Sequence, residues 1–292
     1  MNLDIIAKPL GQFLKFIYDI LPYPFNNYGF AIIIFTVIIK LALLPLTVKQ
    51  YQSQVKMQQV QPLLQEVQKR YKNDKEKLQQ ETMKIYSENK VNPAGGCLPL
   101  LIQMPILITL YWVIIEPLKF MLAKTPDQIA KLAKLVPSIT GYSKEIGIIN
   151  YFSEHKDKLA GIGNLLKPDE LINFKFLGIN LGWVPKFNTS DLFGPQAGTY
   201  LPLLIIPVFA VVTTFLSAKL TMASTKATTN VSGTASSMQN SMLYVGPVMT
   251  LIFSFTLPAG VGLYWGVGYV IQIFQQLYIN KNILKTKEVA KK

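Results

Sequence analysis

Lys40 is the residue whose position in the sequence most directly suggests a function. It is the thirteenth residue of the 21-residue run 28–48, in which no other charge occurs. At the helical rise of ~1.5 Å per residue, roughly 12 Å separates it from one end of the run and roughly 18 Å from the other. If the run crosses a membrane, the buried cation costs about 2.5–3.5 kcal/mol and should face a partner or a water-filled cavity. Snorkelling of the ammonium group to the membrane surface is the competing interpretation.

Other apolar runs also contain polar or aromatic side chains that could share such a cavity. The candidate site residues are Lys40, Thr36, Gln103, Tyr264, Trp265 and Gln272. Thr36 precedes Lys40 by one helical turn and so lies on the same face. Tyr264, Gln272 and Gln276 fall on one face as well, because they are separated by multiples of four residues. Hydrogen bonds between helices and an aromatic belt at the membrane surface are the structural alternatives for these residues.

The residues that usually carry catalysis or hold metals are nearly missing. One cysteine, Cys97, and one histidine, His155, allow neither a disulfide framework nor a Cys/His metal cluster. The sequence also has no glycine-rich loop ending in Lys-Ser or Lys-Thr that would hold nucleotide phosphates. We therefore expect no enzymatic activity, no metal site and no cofactor.

The composition favours a membrane protein over a soluble one. Charged residues make up 15% of the 292 residues and hydrophobic residues 50%, whereas soluble domains have roughly 25% charged residues. The net charge of +13 would suit nucleic acid as well. A membrane protein, however, must also place its positive charge on one side of the bilayer.

Five apolar segments approach the roughly 20 residues that a spanning helix needs. They are residues 28–48, 97–121, 199–219, 241–259 and 260–280. Residues 171–185 are the nearest rival, but they are short and are interrupted by Asn173, Lys175 and Asn180. We predict that this segment lies at the protein surface or the membrane interface. The predicted fold is an all-α membrane protein with five transmembrane helices.

The distribution of charge predicts the orientation of these helices. Residues 49–96 carry a net charge of +4, the loop at 219–226 carries +2, and the tail at 281–292 carries +4. Five spans place all three regions on one side, and the positive-inside rule makes that side cytoplasmic. The N-terminus is then outside and the C-terminus inside.

The segments between the spans have their own patterns. Met57, Val60, Leu64 and Val67 alternate at spacings of three and four, and Asn73-Asp74 follows as a turn, so a cytoplasmic helical hairpin is predicted. The hairpin serves either as a solvated structural element or as a docking surface. Five segments lie outside the predicted spans. They are an interfacial amphipathic N-terminal segment 1–27, the hairpin 49–96, an external loop 122–198, a cytoplasmic loop 220–240 and a basic cytoplasmic tail 281–292. Residues 1–21 do not have the pattern of a cleavable signal peptide.

Several motifs, taken in order, resemble one known family. They are VIIKLALLPLT at 37–47, VNPAGGCLP at 91–99, QMPI at 103–106, LPAG at 257–260 and LYW at 263–265. Together they are similar to the core of the YidC/Oxa/Alb membrane protein insertases, of the bacterial YidC type. The chain departs from that pattern in having Lys rather than the usual Arg at position 40, and it shows no lipid-anchor Cys or large extracytoplasmic domain before the core.

The resemblance implies a function in the bacterial cell membrane. It implies that the five helices surround a hydrophilic groove, with Lys40 as the groove cation and Thr36 as its polar neighbour. Gln103, Tyr264 and Trp265 take groove or client-contact positions, and the residue pattern alone adds Gln272 to this groove. Implied partners are nascent membrane proteins, the Sec translocon, the ribosome and membrane lipids, with no nucleic acid beyond ribosome contact. A secondary transporter of an anionic solute is the alternative, although the sequence lacks the internal repeats typical of such folds. A purely structural partner of a membrane complex is a second alternative.

Overall fold

The computed structural model describes residues 4–92, 98–137, 139, 142–226 and 234–281, and within these the chain is mainly helical, as predicted. The α-helices are α1 Asp4–Ile20, α2 Tyr28–Ala42, α3 Leu44–Arg70, α4 Lys75–Glu88, α5 Leu98–Ile115, α6 Pro117–Phe120, α7 Pro126–Lys134, α8 Lys144–Glu154, α9 Thr189–Phe193, α10 Ala197–Leu203, α11 Ile205–Lys226, α12 Thr234–Ser254 and α13 Ala259–Ile279. One antiparallel hairpin joins β1 Lys175–Phe176 to β2 Ile179–Asn180.

Few of the described helices could cross a membrane alone. The stretch Ala197–Met222, formed by α10 and α11, is long and apolar enough. Helices α2 and α3 qualify only as a pair, with a bend of 60° between them, while Met104–Ile115 and Leu243–Ser254 are apolar but shorter. Helix α13 has the length, but glutamines in its last two turns make it more polar. The five spans therefore stay a prediction.

The first predicted span is not one continuous helix. Helix α2 ends at Ala42, and α3 begins at Leu44 with Pro45 in its first turn. Proline has no backbone N–H, and its ring clashes with the carbonyl group of the residue four positions earlier, so a helix usually bends or breaks before it. Lys40 therefore lies in the last turn of α2, and not in the middle of a straight 21-residue helix.

The chain folds into two compact units. The first comprises Met1–Ile38, Pro105–Thr213 and Met249–Gly268, and the second comprises Ile39–Met104, Thr214–Val248 and Tyr269–Lys292. The second unit contains the helical hairpin, in which α3 and α4 face each other across a turn that Asp74 caps by accepting the Lys77 N–H. The arms bury an apolar cluster of Val60, Leu64, Ile85 and Val91. The cluster uses residues of the hairpin alone.

In the first unit, the described residues of segment 122–198, which the sequence predicts to be an external loop, form short helices and a β-hairpin. Residues 171–185, expected at the protein surface or the membrane interface, contain this β-hairpin and bury alternate side chains, among them Phe174 and Leu181. The hairpin is closed by Leu177 and Gly178, both with positive φ, as a two-residue type I′ turn requires. Its flanks bond to helix ends, from Tyr28 N–H to the Asn173 carbonyl (2.9 Å) and from Gly260 N–H to the Leu181 carbonyl (2.8 Å).

Helix α1 also belongs to the first unit. Its buried face consists of Ala7, Gly11, Leu14, Ile17 and Tyr18, while Ile5, Phe16 and Ile20 on the other side are exposed. Gly11 faces α6 so closely that a Cβ atom there would lie 2.5 Å from the Phe120 carbonyl oxygen. The helix therefore packs one face on protein and leaves apolar side chains exposed on the other.

Candidate functional site

Lys40 is only partly buried, at the break between α2 and α3. Among the described residues, no carboxylate lies within ion-pair distance of its ammonium group. The C-terminal turn of a helix is a favourable place for a cation, because the exposed carbonyls carry partial negative charge worth about 0.3–1 kcal/mol. The helix end therefore offsets part of the cost of the charge at this position.

The carbonyl of Lys40 has a partner that the sequence did not suggest. It accepts a hydrogen bond of 2.9 Å from the side-chain amide of Gln275 in α13. The helix break leaves this carbonyl without its usual position in a continuous helical ladder, so a side-chain donor satisfies it instead. Gln275 is buried, and its hydrogen bond connects α13 to the end of α2 that carries Lys40.

More polar side chains are buried around Gln275 in the second unit. Gln276, which is 1% exposed, places its Oε1 atom 3.3 Å from the hydroxyl of Thr221. Thr214 and Ser217 on the same helix as Thr221 are also buried. Because a buried polar group is costly without a hydrogen-bond partner, these side chains contribute to the packing of α11 against α13 through the Thr221–Gln276 bond.

Gln272 lies in the same unit, next to the phenol of Tyr51 in α3. Burial raises the pKa of Tyr51, and the neighbouring Gln272 amide partly opposes that shift. The sequence singled out Gln272 but missed Gln275 and Tyr51. Two adjacent glutamines in an apolar helix were the available signal for Gln275, since residues 275 and 276 point to different sides of one helix.

Three other candidate residues lie in the first unit. Thr36 is fully buried, and its hydroxyl donates to the Ile32 carbonyl of its own helix at 2.6 Å. Tyr264 is buried as well, and Trp265 stacks on Phe253 with ring centroids 5.7 Å apart. Each therefore has a packing role inside this unit. For Gln103, α5 includes the backbone, but the side chain lies outside the described residues.

The described residues contain no group of three or more His, Cys, Asp or Glu side chains that could hold a metal ion. The chemistry on offer is that of a single cation with hydroxyl and amide groups.

The chain is similar in sequence to known proteins. A family model described as 60Kd inner membrane protein matches residues 20–287. A protein named membrane protein insertase YidC from Oceanobacillus iheyensis is 33% identical over 90% of this chain and 78% of its own length. Membrane protein insertase YidC 2 of Listeria innocua is 31% identical over 97% of the chain and 73% of its own length.

Some relatives are much longer. The protein of the same name from Mannheimia succiniciproducens is 31% identical over 96% of this chain, but the match covers only 37% of its length. The family match covers most of this chain, and it agrees with the resemblance seen in the motifs around Lys40, Gln103 and Tyr264. The chain belongs to the 60Kd inner membrane protein family, which is the YidC/Oxa family.

Proposed function

We propose that this chain is a membrane protein insertase, which helps nascent membrane proteins to leave water and enter the lipid bilayer. The relatives that carry this name, together with the family match, support the proposal. A bacterial cell membrane is the location that agrees with the family and with the low share of charged residues, 15%. The single observation that carries the mechanism is the cation Lys40, for which the described residues offer no carboxylate partner.

In this mechanism Lys40 attracts an acidic residue in the polar outer segment of a client. At ~4 Å and an effective dielectric constant near 20, the attraction between the two charges is about 4 kcal/mol before desolvation. This offsets part of the cost of moving a carboxylate into the bilayer. Lysine acts here as a point charge, since it lacks the two-pronged geometry with which arginine binds a carboxylate.

The other candidate residues would then contact the client within a hydrophilic groove in the membrane. Hydroxyl, amide and aromatic side chains suit this task because they can bond to a passing polypeptide without trapping it. The apolar helix of the client moves into lipid, and its burial away from water drives the step. No covalent bond changes in this cycle.

We propose the five-span topology with the N-terminus outside and the C-terminus in the cytoplasm. Helices α2, α5, α10 with α11, α12 and α13 are the candidates. The prolines and glutamines in these helices are compatible with a location in the membrane, because neighbouring helices of a bundle can provide hydrogen-bond partners for their side chains and for the freed backbone carbonyls. The positive charge of the hairpin and tail agrees with the cytoplasmic assignment.

The Sec translocon and the ribosome are the proposed larger partners. The hairpin supports a cytoplasmic docking role, because its buried cluster joins its own two arms and leaves the charged outer faces exposed. Arg70 and Glu66, for example, pair across one turn with both side chains 65% exposed.

Insertion into proteoliposomes tests the role of Lys40. Two clients should be compared that differ only in having an acidic or a neutral outer segment. Lys40→Arg should retain insertion of both, because the charge is kept, whereas Lys40→Gln should lose most insertion of the acidic client and less of the neutral one. Lys175→Gln, which removes an exposed charge from the β-hairpin, is the matched control and should insert both clients normally.

Insertion of both clients by Lys40→Gln at the rate of the unchanged protein would exclude the electrostatic role. The same proteoliposomes, incubated with a labelled anionic solute, test the transporter alternative. Uptake that depends on Lys40 in the absence of any client would favour a transporter.

A further inference from the structure

Two of the most exposed large apolar side chains of the first unit lie just before the stretch that is long enough to span a membrane. Phe187 is 78% exposed and Phe193 is 80% exposed. Phe187 precedes helix α9, Phe193 is the last residue of that helix, and the apolar stretch Ala197–Met222 begins four residues after Phe193. Isolated exposed apolar residues are ordinary on a protein surface, but these two lie next to a spanning stretch, which suggests that they contact something other than water.

The segment between the two phenylalanines is held in place by specific contacts. Asn188 caps α9, with its side-chain oxygen accepting from Ser190 N–H (2.8 Å) and Asp191 N–H (3.2 Å). Leu192 is buried beneath the helix. The two aromatic rings are therefore presented outward by a structured turn whose other apolar residue points inward.

The charged residues of the segment fold back toward the protein. The ammonium of Lys186 lies 4.8 Å from the centre of the Tyr200 ring and 3.6 Å from an Asp191 carboxylate oxygen. Lys186 nevertheless keeps 48% of its side chain exposed. A long cationic side chain beside aromatic rings is the arrangement found where a protein meets phospholipid headgroups.

Both phenylalanines lie next to apolar helices. Leu201, Ile205, Val208 and Val212 form an exposed stripe along α10 and α11 at spacings of three and four residues, which places them on one helix face. Phe187 also contacts Phe255, with ring centroids 5.9 Å apart, and Phe255 directly follows the apolar helix Leu243–Ser254. Both phenylalanines thus continue apolar surfaces that suit lipid.

We propose that Phe187 and Phe193 insert into the outer interface of the phospholipid bilayer and set the depth at which α10 and α11 enter it. The partner is the glycerol and upper acyl-chain region of the lipid, with Lys186 at headgroup level. Aromatic rings favour this zone, where an apolar environment borders a wet one. The inference rests on the proposed placement of Ala197–Met222 in the membrane, but it does not require insertase activity.

Site-directed spin labelling tests this contact on the full chain. Cys97 is the one cysteine of the sequence, so Cys97→Ser provides a cysteine-free background. Phe187→Cys and Phe193→Cys then carry the label in vesicles of phosphatidylethanolamine and phosphatidylglycerol. Both replaced side chains are exposed, so neither change opens a cavity in the protein. The measurement compares collisions of each label with molecular oxygen, which dissolves in lipid, and with a water-soluble nickel chelate.

We expect labels at 187 and 193 to collide more with oxygen than with the nickel chelate. Gly161→Cys is the matched control, because a side chain there meets no atom within 4 Å, and its label should favour the nickel chelate. Val208→Cys, on the exposed stripe, should favour oxygen even more strongly than the phenylalanine sites.

The outcomes separate this inference from the proposed topology. If Val208→Cys favours oxygen while positions 187 and 193 favour the nickel chelate, the interfacial contact is wrong and the membrane placement stands. If Val208→Cys also favours the nickel chelate, the placement of the helix itself is wrong. Low collision with both reagents at 187 and 193 would mean that protein covers them, and it would overturn the lipid contact.

Discussion

The ionisation of one buried carboxyl group, that of Glu145, should influence the stability of the first unit. Glu145 lies in the first turn of α8, is 7% exposed, and accepts a hydrogen bond of 3.1 Å from the Lys119 backbone N–H. The pKa of Glu145 is raised to about 7, mainly by burial and also by the neighbouring Glu116, while hydrogen bonds from the Lys119 and Leu118 backbone and the Lys119 ammonium act in the opposite direction. The Lys119 ammonium is shared with Asp4 and Glu116 at 3.1 and 3.5 Å.

This raised pKa predicts that stability falls as the pH rises. The pKa of the Glu145 carboxyl is about 7 in the folded protein, against 4.5 as its ordinary value. Between these values the folded state binds more protons than the unfolded one, so the contribution of this group is largest at low pH and is lost as the pH rises through 7. The loss is on the order of 2–3 kcal/mol by linkage. Thermal unfolding of the purified protein between pH 4 and 8.5 measures it.

Glu145→Gln keeps an acceptor for the Lys119 N–H and removes the ionisation. This variant should match the unchanged protein near pH 4, where the carboxyl is protonated in both the folded and the unfolded state, and should be more stable at pH 8.5. Glu154→Gln changes an exposed carboxyl at the other end of α8 and should leave the pH profile as it is. Parallel profiles for Glu145→Gln and the unchanged protein would contradict the prediction.

At the scale of elements, the close approach of α1 and α6 determines how the N-terminal helix is held. A Cβ atom at Gly11 would lie 2.5 Å from the backbone oxygen of Phe120 and 2.7 Å from its carbonyl carbon. These are backbone atoms, so they cannot move aside by changing a rotamer. Gly11→Ala should therefore destabilise the first unit by about 1–3 kcal/mol, as overpacking does elsewhere.

Gly198 in α10 provides the control for this prediction, because a Cβ atom there would meet nothing within 4 Å. Gly198→Ala should be neutral or stabilise the protein by up to about 1 kcal/mol, since alanine restricts the unfolded chain and favours helix. Thermal unfolding of both variants in the same detergent measures the difference. Equal melting temperatures for the two variants would show that α1 moves away from α6 at little cost.

At the scale of the whole molecule, the proposed orientation can be measured directly. In the Cys97→Ser background, Gly161→Cys should react with a membrane-impermeant maleimide added to intact cells, because residues 122–198 are proposed to lie outside. Ser237→Cys, in the proposed cytoplasmic loop, should react only after the cells are permeabilised. Reaction of both cysteines from the same side would exclude the five-span topology. The β-hairpin at 175–180 already makes a helical sixth span at 171–185 a poor explanation of that outcome.

The sequence by itself determined the features that depend on local pattern. Length, charge and apolar runs indicated a mainly helical membrane protein, and the fold confirmed the helical part. Spacings of three and four in 57–67 indicated a helix with one apolar side, and α3 and α4 now bury Val60, Leu64 and Ile85 together. The motifs around Lys40 and Tyr264 were sufficient for the family, which the comparisons confirmed. These features are readable because helix period and hydropathy are properties of neighbouring residues.

Only the tertiary structure decided what depends on residues far apart in the chain. The Lys40 carbonyl bonds to Gln275 across 235 positions, and Lys124 pairs with Glu170 at 2.7 Å to connect the two ends of a 46-residue stretch of the first unit. No period or motif encodes such pairs, because each partner looks like an ordinary polar residue in its own neighbourhood. The burial of Glu145 and of the β-hairpin has the same origin: whether a side chain loses contact with water depends on which distant elements fold against it.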